Sequence, residues 1–197
     1  GNAHIAFTTS THPSVMYGRF NGSAWTIEVV DGLGFNVGGR VDDTQLRLQV
    51  EANGTPHLLY VRALASNQLW YATKSGTTWT RERVDTDTSR VSGRIALALK
   101  PGTMVQPHVV YTWTAGSQDR LAVAVRASAW TVNAFSTTLT GASSYERLQG
   151  DAAFVGANLV FPFIASVAPS AALASWTTGT TAAFVGVPSP LVDTQDM

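Results

Sequence analysis

The feature that most constrains this chain is an internal repeat of about fifty residues, which aligns around a histidine. The first copy reads Gly-Asn-Ala-His-Ile-Ala-Phe, the second Gly-Thr-Pro-His-Leu-Leu-Tyr and the third Val-Gln-Pro-His-Val-Val-Tyr. The histidines are His4, His57 and His108, which lie 53 and 51 residues apart. A fourth copy is expected near Leu159, where Asn-Leu-Val-Phe replaces Pro-His-Val-Val.

A tryptophan gives the repeat a second landmark. The tryptophans are Trp25, Trp79 and Trp130, which lie 54 and 51 residues apart. Each one follows a short turn. In the fourth copy Ala182 stands at this place. Because large side chains fill the space between the sheets of a repeated β fold, the three tryptophans are predicted to occupy equivalent and largely buried positions. The histidines, one per copy, are predicted to be structural as well.

Each copy divides into four short strands, which we label a to d. Strand a is clearest at 46–50 and 95–99, where apolar residues alternate with others. In the second copy, strands b, c and d begin at Pro56, Leu69 and Trp79. The turn between strands c and d reads Asn-Gly in the first copy, and Asn-Gly is a strong hairpin signal. No stretch shows the capped, sustained periodicity of a helix.

Four-stranded repeats of this length predict an all-β chain that folds as a β-propeller with four tandem four-stranded blades. The blades are expected at approximately 1–45, 46–93, 94–144 and 145–187, with a tail at 188–197. The first copy begins in its a–b turn, because Gly1 and Gly54 each lie three residues before a histidine. The tail is polar and contains two prolines, which makes it a poor inner strand. We therefore expect part of a larger propeller, completed by further blades or by a second chain.

Composition limits the possible partners. The formal net charge is zero and only 13% of the residues are charged, so no broad attraction to nucleic acid is implied. The sequence contains no cysteine, which excludes disulfides and zinc–thiolate sites. No apolar stretch is long enough to span a bilayer. No cofactor is predicted, and no metal site either, because histidines in separate blades cannot converge on one ion.

One pattern of residues resembles a known family. Pro56-His57, Tyr71-Ala72, Gly76, Trp79-Thr80 and Val84-Asp85 are similar to the repeat of bacterial exported β-propellers, which are loosely grouped with sialidase-like or BNR propellers. The resemblance implies a propeller fold and a secreted or cell-surface location. It implies little about activity, because propellers host many functions.

Two groups of residues are candidates for ligand binding. Arginines recur near the entry to strand a, at Arg40, Arg94 and Arg147. In a propeller this strand lines the central channel, so these side chains are candidates for a cationic ring that binds a carboxylate or phosphate. Trp70 and Tyr71 are candidates for contact with a sugar, and they are expected on opposite faces of their strand.

These observations favour a non-enzymatic binding or adhesion propeller of an exported or cell-surface protein, with a glycan or a protein as its ligand. Carbohydrate is one candidate ligand, since repeated blades offer repeated weak sites. Two alternatives remain open. One is a sialidase-like glycoside hydrolase, for which the sequence offers no matched acid and base. The other is a structural subunit of a larger extracellular assembly.

Overall fold

The computed structural model describes residues 2–9, 14–32, 40–63, 67–86, 91–115, 118–135, 146–165, 171–177 and 183–186. Within these ranges every regular element is a β-strand, and all strand pairs are antiparallel. The strands are β1 (His4–Thr9), β2 (Ser14–Phe20), β3 (Trp25–Gly32), β4 (Arg40–Val50), β5 (Pro56–Ala63), β6 (Asn67–Ser75), β7 (Thr78–Arg83), β8 (Val91–Lys100), β9 (Gln106–Ala115), β10 (Gln118–Arg126), β11 (Trp130–Ala134), β12 (Glu146–Leu148), β13 (Ala153–Val155), β14 (Asn158–Ala165), β15 (Ala171–Trp176) and β16 (Ala183–Gly186).

The strands form four sheets that follow one another along the chain, and we call these sheets blades one to four. Blade one has the order β1-β2-β3, blade two β4-β5-β6-β7 and blade three β8-β9-β10-β11. In blade four, β12 and β13 both pair with β14, which is followed by β15 and β16. β4 begins at Arg40 and β8 at Val91, so strand a starts a few residues earlier than the sequence pattern indicated.

The core lies in three layers, one between each pair of successive blades. β5 shows why, because neighbouring side chains of a strand point to opposite faces. Leu58 and Tyr60 pack toward blade one, whereas Leu59 and Val61 pack toward blade three. A strand that is buried on both faces needs a continuous apolar run, which explains the Leu-Leu-Tyr-Val sequence of the repeat.

The c–d turns have the conformation that their residues predict. Gly22 and Gly76 have φ values of 101° and 60°, which L-residues rarely adopt. In the first turn the Asn21 side-chain oxygen accepts hydrogen bonds from the backbone N–H groups of Ser23 and Ala24, each at 2.9 Å. The sequence Asn-Gly therefore supplies both the backbone freedom and the side-chain acceptor that close this hairpin.

The fourth copy corrects the alignment that the sequence suggested. Leu159 is fully buried in the layer between blades three and four, the same kind of position that Val109 occupies one layer earlier. Asn158, and not Leu159, therefore takes the place of the histidine. The loop before strand b is shorter in this copy than in the third, so counting residues from His108 placed the fourth histidine position one residue too late. A shift of one residue matters because it exchanges the two faces of a strand.

Blade one contains three strands in the part of the chain that the structure describes. The strand a that the sequence indicated as missing has no counterpart among these strands. Residues 187–197 lie outside the described residues, so the expectation that the tail does not close the ring stays a prediction. Phe161 and Phe163 of the fourth copy pack against blade three.

Candidate functional site

A polar and aromatic cluster joins blade one to blade two. The Lys74 ammonium donates hydrogen bonds to both oxygens of Glu28, at 2.5 and 2.6 Å. The indole N–H of Trp79 donates to one of the same oxygens at 3.1 Å. Tyr17 meets the Trp79 ring edge-on, with the centroids 5.3 Å apart. Blade one thus supplies a tyrosine and a glutamate, and blade two supplies a cation and a tryptophan.

The same arrangement recurs between blades two and three. Arg126 donates from Nε and Nη2 to the two oxygens of Glu82, at 2.8 and 2.5 Å. Tyr71 meets the edge of the Trp130 ring at 5.2 Å. The hydrogen bond from Arg126 holds the pKa of Glu82 below its usual value, so this carboxyl is ionised at neutral pH. We call these two groups the first and second junction clusters.

A pocket of about 260 Å³ opens beside the first junction cluster, and we call it the interblade pocket. Blade one lines it with Tyr17, Arg19, Thr26 and Glu28. Blade two lines it with Asn53, Gly54, Thr55, Pro56, Lys74 and Gly76. The pocket therefore offers a carboxylate, two cations, an amide and three hydroxyls beside short nonpolar walls, a set that can donate to and accept from a hydroxylated ligand.

The a–b turn of blade two gives this pocket a fixed wall. The Asn53 side chain donates to Glu51 at 3.2 Å and accepts from the Thr55 backbone N–H at 2.8 Å. Gly54 has a φ of 89° and its N–H donates to the Glu51 carbonyl at 2.9 Å. These bonds fix the backbone of the turn, so the polar groups on the pocket side are held in place before a ligand arrives.

The repeated histidines contact neighbouring strands and turns of their own blades. His57 Nδ1 lies 2.5 Å from the Tyr71 hydroxyl, and His57 Nε2 lies 2.7 Å from Glu51. His4 makes the same contact with Tyr17 at 2.5 Å. Burial lowers the pKa of His57 and raises that of Tyr71, so both side chains are neutral at neutral pH.

His108 is buried in a different setting. Its Nδ1 lies 3.0 Å from the Gln106 carbonyl, and its ring meets the rings of Phe154 and Trp176. Val123 stands at the strand position that Tyr17 and Tyr71 occupy, so no tyrosine hydroxyl is available to this histidine. Across the described ranges no three His, Asp or Glu side chains come together as metal ligands.

The Val-Asp pair of the repeat joins successive blades at a second place. Asp31 is 1% exposed and accepts hydrogen bonds from Tyr60 at 2.8 Å, Arg62 at 3.0 Å and Arg81 at 2.6 Å. Asp85 accepts from the Tyr111 hydroxyl in the next layer. Because these buried carboxylates are paired with donors from the following blade, they act as connectors between the blades.

The prediction that all three repeated tryptophans are largely buried is wrong for Trp25. Trp79 and Trp130 are partly buried against the preceding blade, whereas Trp25 is 47% exposed. Its ring contacts Phe20 of its own blade at 5.4 Å. Trp79 and Trp130 each meet a tyrosine of another blade, whereas no tyrosine in the described part of the chain meets Trp25.

The arginines that were predicted to form a cationic ring contact groups of neighbouring blades. Arg94 donates to the Gln149 carbonyl at 2.8 Å, and Arg147 pairs with Asp119 at 2.7 Å. Arg40 begins β4, but its side chain lies outside the described residues. The binding of an anion by these arginines stays a prediction.

Trp70 and Tyr71 lie on opposite faces of β6, as expected. Trp70 packs toward blade one and donates from its indole N–H to Gln68 at 3.2 Å, with Arg62 stacked 4.7 Å above its ring. Tyr71 is buried in the layer toward blade three. Neither residue lines the interblade pocket. Their role in ligand binding remains untested.

Sequence reasoning missed the residues that build the junction clusters, although the repeat carried a signal for them. Glu28 and Glu82 each lie three residues after the repeated tryptophan. Lys74 and Arg126 both pair with that tryptophan across the c–d hairpin. Each of these copies thus has an acidic and a basic residue at fixed positions relative to the tryptophan. This pattern predicts a salt bridge between blades once the faces of the sheets that pack together are known.

Comparison with known proteins identifies the fold. No family model matches this sequence, and no curated protein matches it. A mutant of the Aleuria aurantia lectin in complex with Fucα1-6GlcNAc matches with 15% identity and a TM-score of 0.59, over 95% of this chain and 60% of that one. The Aleuria aurantia lectin described as a six-bladed β-propeller with a novel fucose recognition mode matches with 14% identity and a TM-score of 0.58, over 95% and 63%.

A glycosyl hydrolase from Bacteroides ovatus also matches, with 11% identity and a TM-score of 0.50, over 88% of this chain and 60% of that one. The chain thus spans about three fifths of the length of these structures. Identities this low establish the fold alone, and they confirm that the four sheets are blades of a β-propeller. In the part of the chain that the structure describes, no helix is long and apolar enough to cross a membrane.

Proposed function

We propose that this protein is a carbohydrate-binding propeller without catalytic activity, and that its principal sugar site is the interblade pocket. The observation that carries the proposal is the pocket itself, which brings Glu28, Lys74, Arg19 and Asn53 together beside the contact between blades one and two. Sugar hydroxyls both donate and accept hydrogen bonds, so a site with fixed charged donors and a fixed carboxylate suits them.

The Glu28 carboxylate can accept one more hydrogen bond, which supports direct contact with a ligand. A carboxylate offers about four lone-pair sites, and Lys74 and Trp79 take up three of them. One site therefore remains for a ligand hydroxyl, next to the exposed guanidinium of Arg19. Lys74 and Trp79 also hold the carboxylate in one orientation, which reduces the entropy that binding would otherwise cost.

The size of the pocket favours one sugar unit. Its volume of about 260 Å³ lies below the range of about 300–1,000 Å³ that is usual for drug-sized ligands. Single sugars bind weakly, so useful affinity for a glycan requires several sites or several copies. The fucose ligands named for the structurally similar lectins make fucose the first monosaccharide to test.

The two junctions are not equivalent as sugar sites. Arg19 pairs with Thr26 across its hairpin, and in blade two the corresponding pair is Thr73 with Thr80. The second junction thus lacks the arginine. We expect the interblade pocket to dominate sugar binding, since guanidinium–hydroxyl hydrogen bonds are stronger than those between neutral groups.

The glycoside hydrolase alternative receives less support from the geometry. Most glycosidases pair a carboxylic acid of raised pKa with a second carboxylate, whereas sialidases use a tyrosine nucleophile with an acidic partner. Arg126 lowers the pKa of Glu82, and Glu28 is bound to Lys74 in a different junction. Export, a cell-surface location, an adhesive role and service as a structural subunit stay predictions that rest on the sequence.

The experiment is a glycan array followed by calorimetric titration of the bound monosaccharide with the full chain and two variants. Arg19→Ala should weaken binding by about tenfold or more, because a charge-assisted hydrogen bond contributes about 1.5–3 kcal/mol. Arg94→Ala is the matched control, since it removes an exposed arginine from the inner strand of blade three. Loss of binding in Arg94→Ala with Arg19→Ala unaffected would move the site to the central channel.

A further inference from the structure

A pocket of about 600 Å³ lies at one end of blade three, and we call it the blade-three pocket. Two connections of the same sheet line it, the a–b loop with its flanks at residues 100–107 and the c–d turn at 126–128. Its volume falls within the range of about 300–1,000 Å³ that is usual for small-molecule sites. It shares no lining residue with the interblade pocket, so it is a separate place on the molecule.

The a–b loop that forms most of this pocket is longer in blade three than in blade two. Val50 pairs with Pro56 in blade two, and Leu99 pairs with Pro107 in blade three, where each proline precedes a repeated histidine. Five residues connect the first pair and seven connect the second. Blade three thus has two residues here that blade two lacks, and the longer loop supplies most of the pocket wall.

One wall of the pocket is apolar. Met104 is 85% exposed, and Pro101, Val105, Pro107 and Ala127 line the same pocket. A single exposed apolar side chain is ordinary, but several around one concave surface are typical of a binding site. The thioether of methionine adapts to irregular apolar partners. The two prolines restrict the backbone of the loop, which reduces the entropy that ligand binding would otherwise cost.

The charged residues of the pocket are both cations. Arg126 is paired with Glu82 of blade two, which compensates its charge. Lys100 has no ion pair within the part of the chain that the structure describes, and its ammonium lies 5.9 Å from the centre of the Phe154 ring. No aspartate or glutamate is among the residues that line the pocket. Among the described residues, one positive charge at this site therefore has no counter-charge.

The corresponding position of blade two carries the opposite charge. Glu51 and Lys100 each lie two residues after the residue that pairs with a repeated histidine. Glu51 lies 2.7 Å from His57 Nε2, a contact that holds the turn of blade two. Lys100 does not take over this role, because His108 contacts the Gln106 carbonyl and a lysine cannot accept a hydrogen bond from an imidazole. The fold of blade three therefore does not account for the charge of the lysine.

We propose that the blade-three pocket binds a small carboxylic acid with an apolar body, such as an alkanoate of medium length. The apolar wall around Met104 covers the body of the ligand, and the Lys100 ammonium donates to its carboxylate. Arg126 supplies a second donor from Nη1, because Glu82 occupies its Nε and Nη2. A carboxylate carries one negative charge, which matches the single uncompensated cation. The inference does not depend on the proposed sugar site, which lies between blades one and two.

The test titrates the full chain, isotope-labelled at its methionine methyl groups, with octanoate. The Met104 methyl signal should move and then saturate, whereas the signal of Met16, which lies in blade one, should stay in place. Octanol lacks the negative charge and acetate lacks the apolar body. Each of them should bind about tenfold more weakly than octanoate or worse, because each loses one of the two contacts.

A pair of variants tests the role of the lysine. Lys100→Gln should weaken octanoate binding by about tenfold and leave octanol binding unchanged. Arg94→Gln, which removes a cation from the other half of the same strand β8, should change neither. If Lys100→Gln does not fold, the comparison of octanoate with octanol on the unaltered chain still decides the question. Equal affinity for octanoate and octanol would overturn the proposal, as would a Met104 signal that stays in place up to the solubility limit of octanoate.

Discussion

At the scale of single residues, the repeat is a set of contacts that cross from one blade to the next. Tyr17 and Tyr71 each serve two neighbours, a histidine of their own blade and a tryptophan of the following blade. This explains why the histidine and the tryptophan recur together. The third copy has Val123 at the tyrosine position, and the fourth copy has no tryptophan in its landmark. The sequence therefore lacks both residues of a tyrosine–tryptophan contact between blades three and four.

The tryptophans give a first prediction. Trp79→Ala should lower the free energy of unfolding by about 3 kcal/mol, because it leaves a cavity beside Tyr17 and removes a donor to Glu28. Trp25→Ala is the matched control and should cost about 0.5 kcal/mol or less, since its side chain is half exposed. Urea unfolding followed by circular dichroism measures both. Equal costs would contradict the different environments of the two rings.

The buried histidine gives a prediction about pH. Burial lowers the pKa of His57, so the unfolded chain binds a proton more readily than the folded chain. The free energy of unfolding should therefore fall as the pH decreases below the ordinary histidine value of about 6.5, until the lowered pKa of His57 is passed. His57→Gln should flatten part of this dependence in unfolding curves at several pH values. An unchanged pH profile in this variant would exclude His57 as a source of the acid sensitivity.

At the scale of strands and sheets, the periodic patterns predicted the elements well and their register less well. The alternating residues at 46–50 and 95–99 do form inner strands, and the Asn-Gly turn closes a hairpin. The fourth copy was misaligned by one residue, because its a–b loop is shorter and no histidine marks the register. The junction clusters were not foreseen, since the sequence does not state which face of one blade meets which face of the next.

The first junction cluster gives a prediction about the coupling between sheets. Glu28→Gln and Lys74→Met should each lower the free energy of unfolding. The double variant should lose less than the sum of the two single losses, because both changes remove the same ion pair. For a partly buried ion pair we expect a coupling of about 1 kcal/mol. A double-mutant cycle in urea measures it. The same cycle on Glu28 with Arg94, which does not contact Glu28, should give additive effects, and a coupling there would undermine the interpretation.

At the scale of the whole molecule, successive blades differ in the contacts that join them. Blades one to three are joined by paired charges and by tyrosine–aspartate bonds. Blades three and four are joined by an apolar layer that includes Phe161, Phe163 and Trp176, and also by the Arg147–Asp119 ion pair. The proposed sugar site lies beside the first junction cluster, and it therefore belongs to the first half of the chain.

The central claim is that a monosaccharide binds between blades one and two, and chemical-shift mapping tests it most directly. The isotope-labelled full chain is titrated with the sugar that binds best on the array, and the backbone amide shifts are followed. We expect the largest shifts at the amides of residues 53–55 and 26–28, with smaller changes elsewhere. Largest shifts at the inner-strand residues around Arg94 and Arg147, or no shifts with any sugar tested, would contradict it.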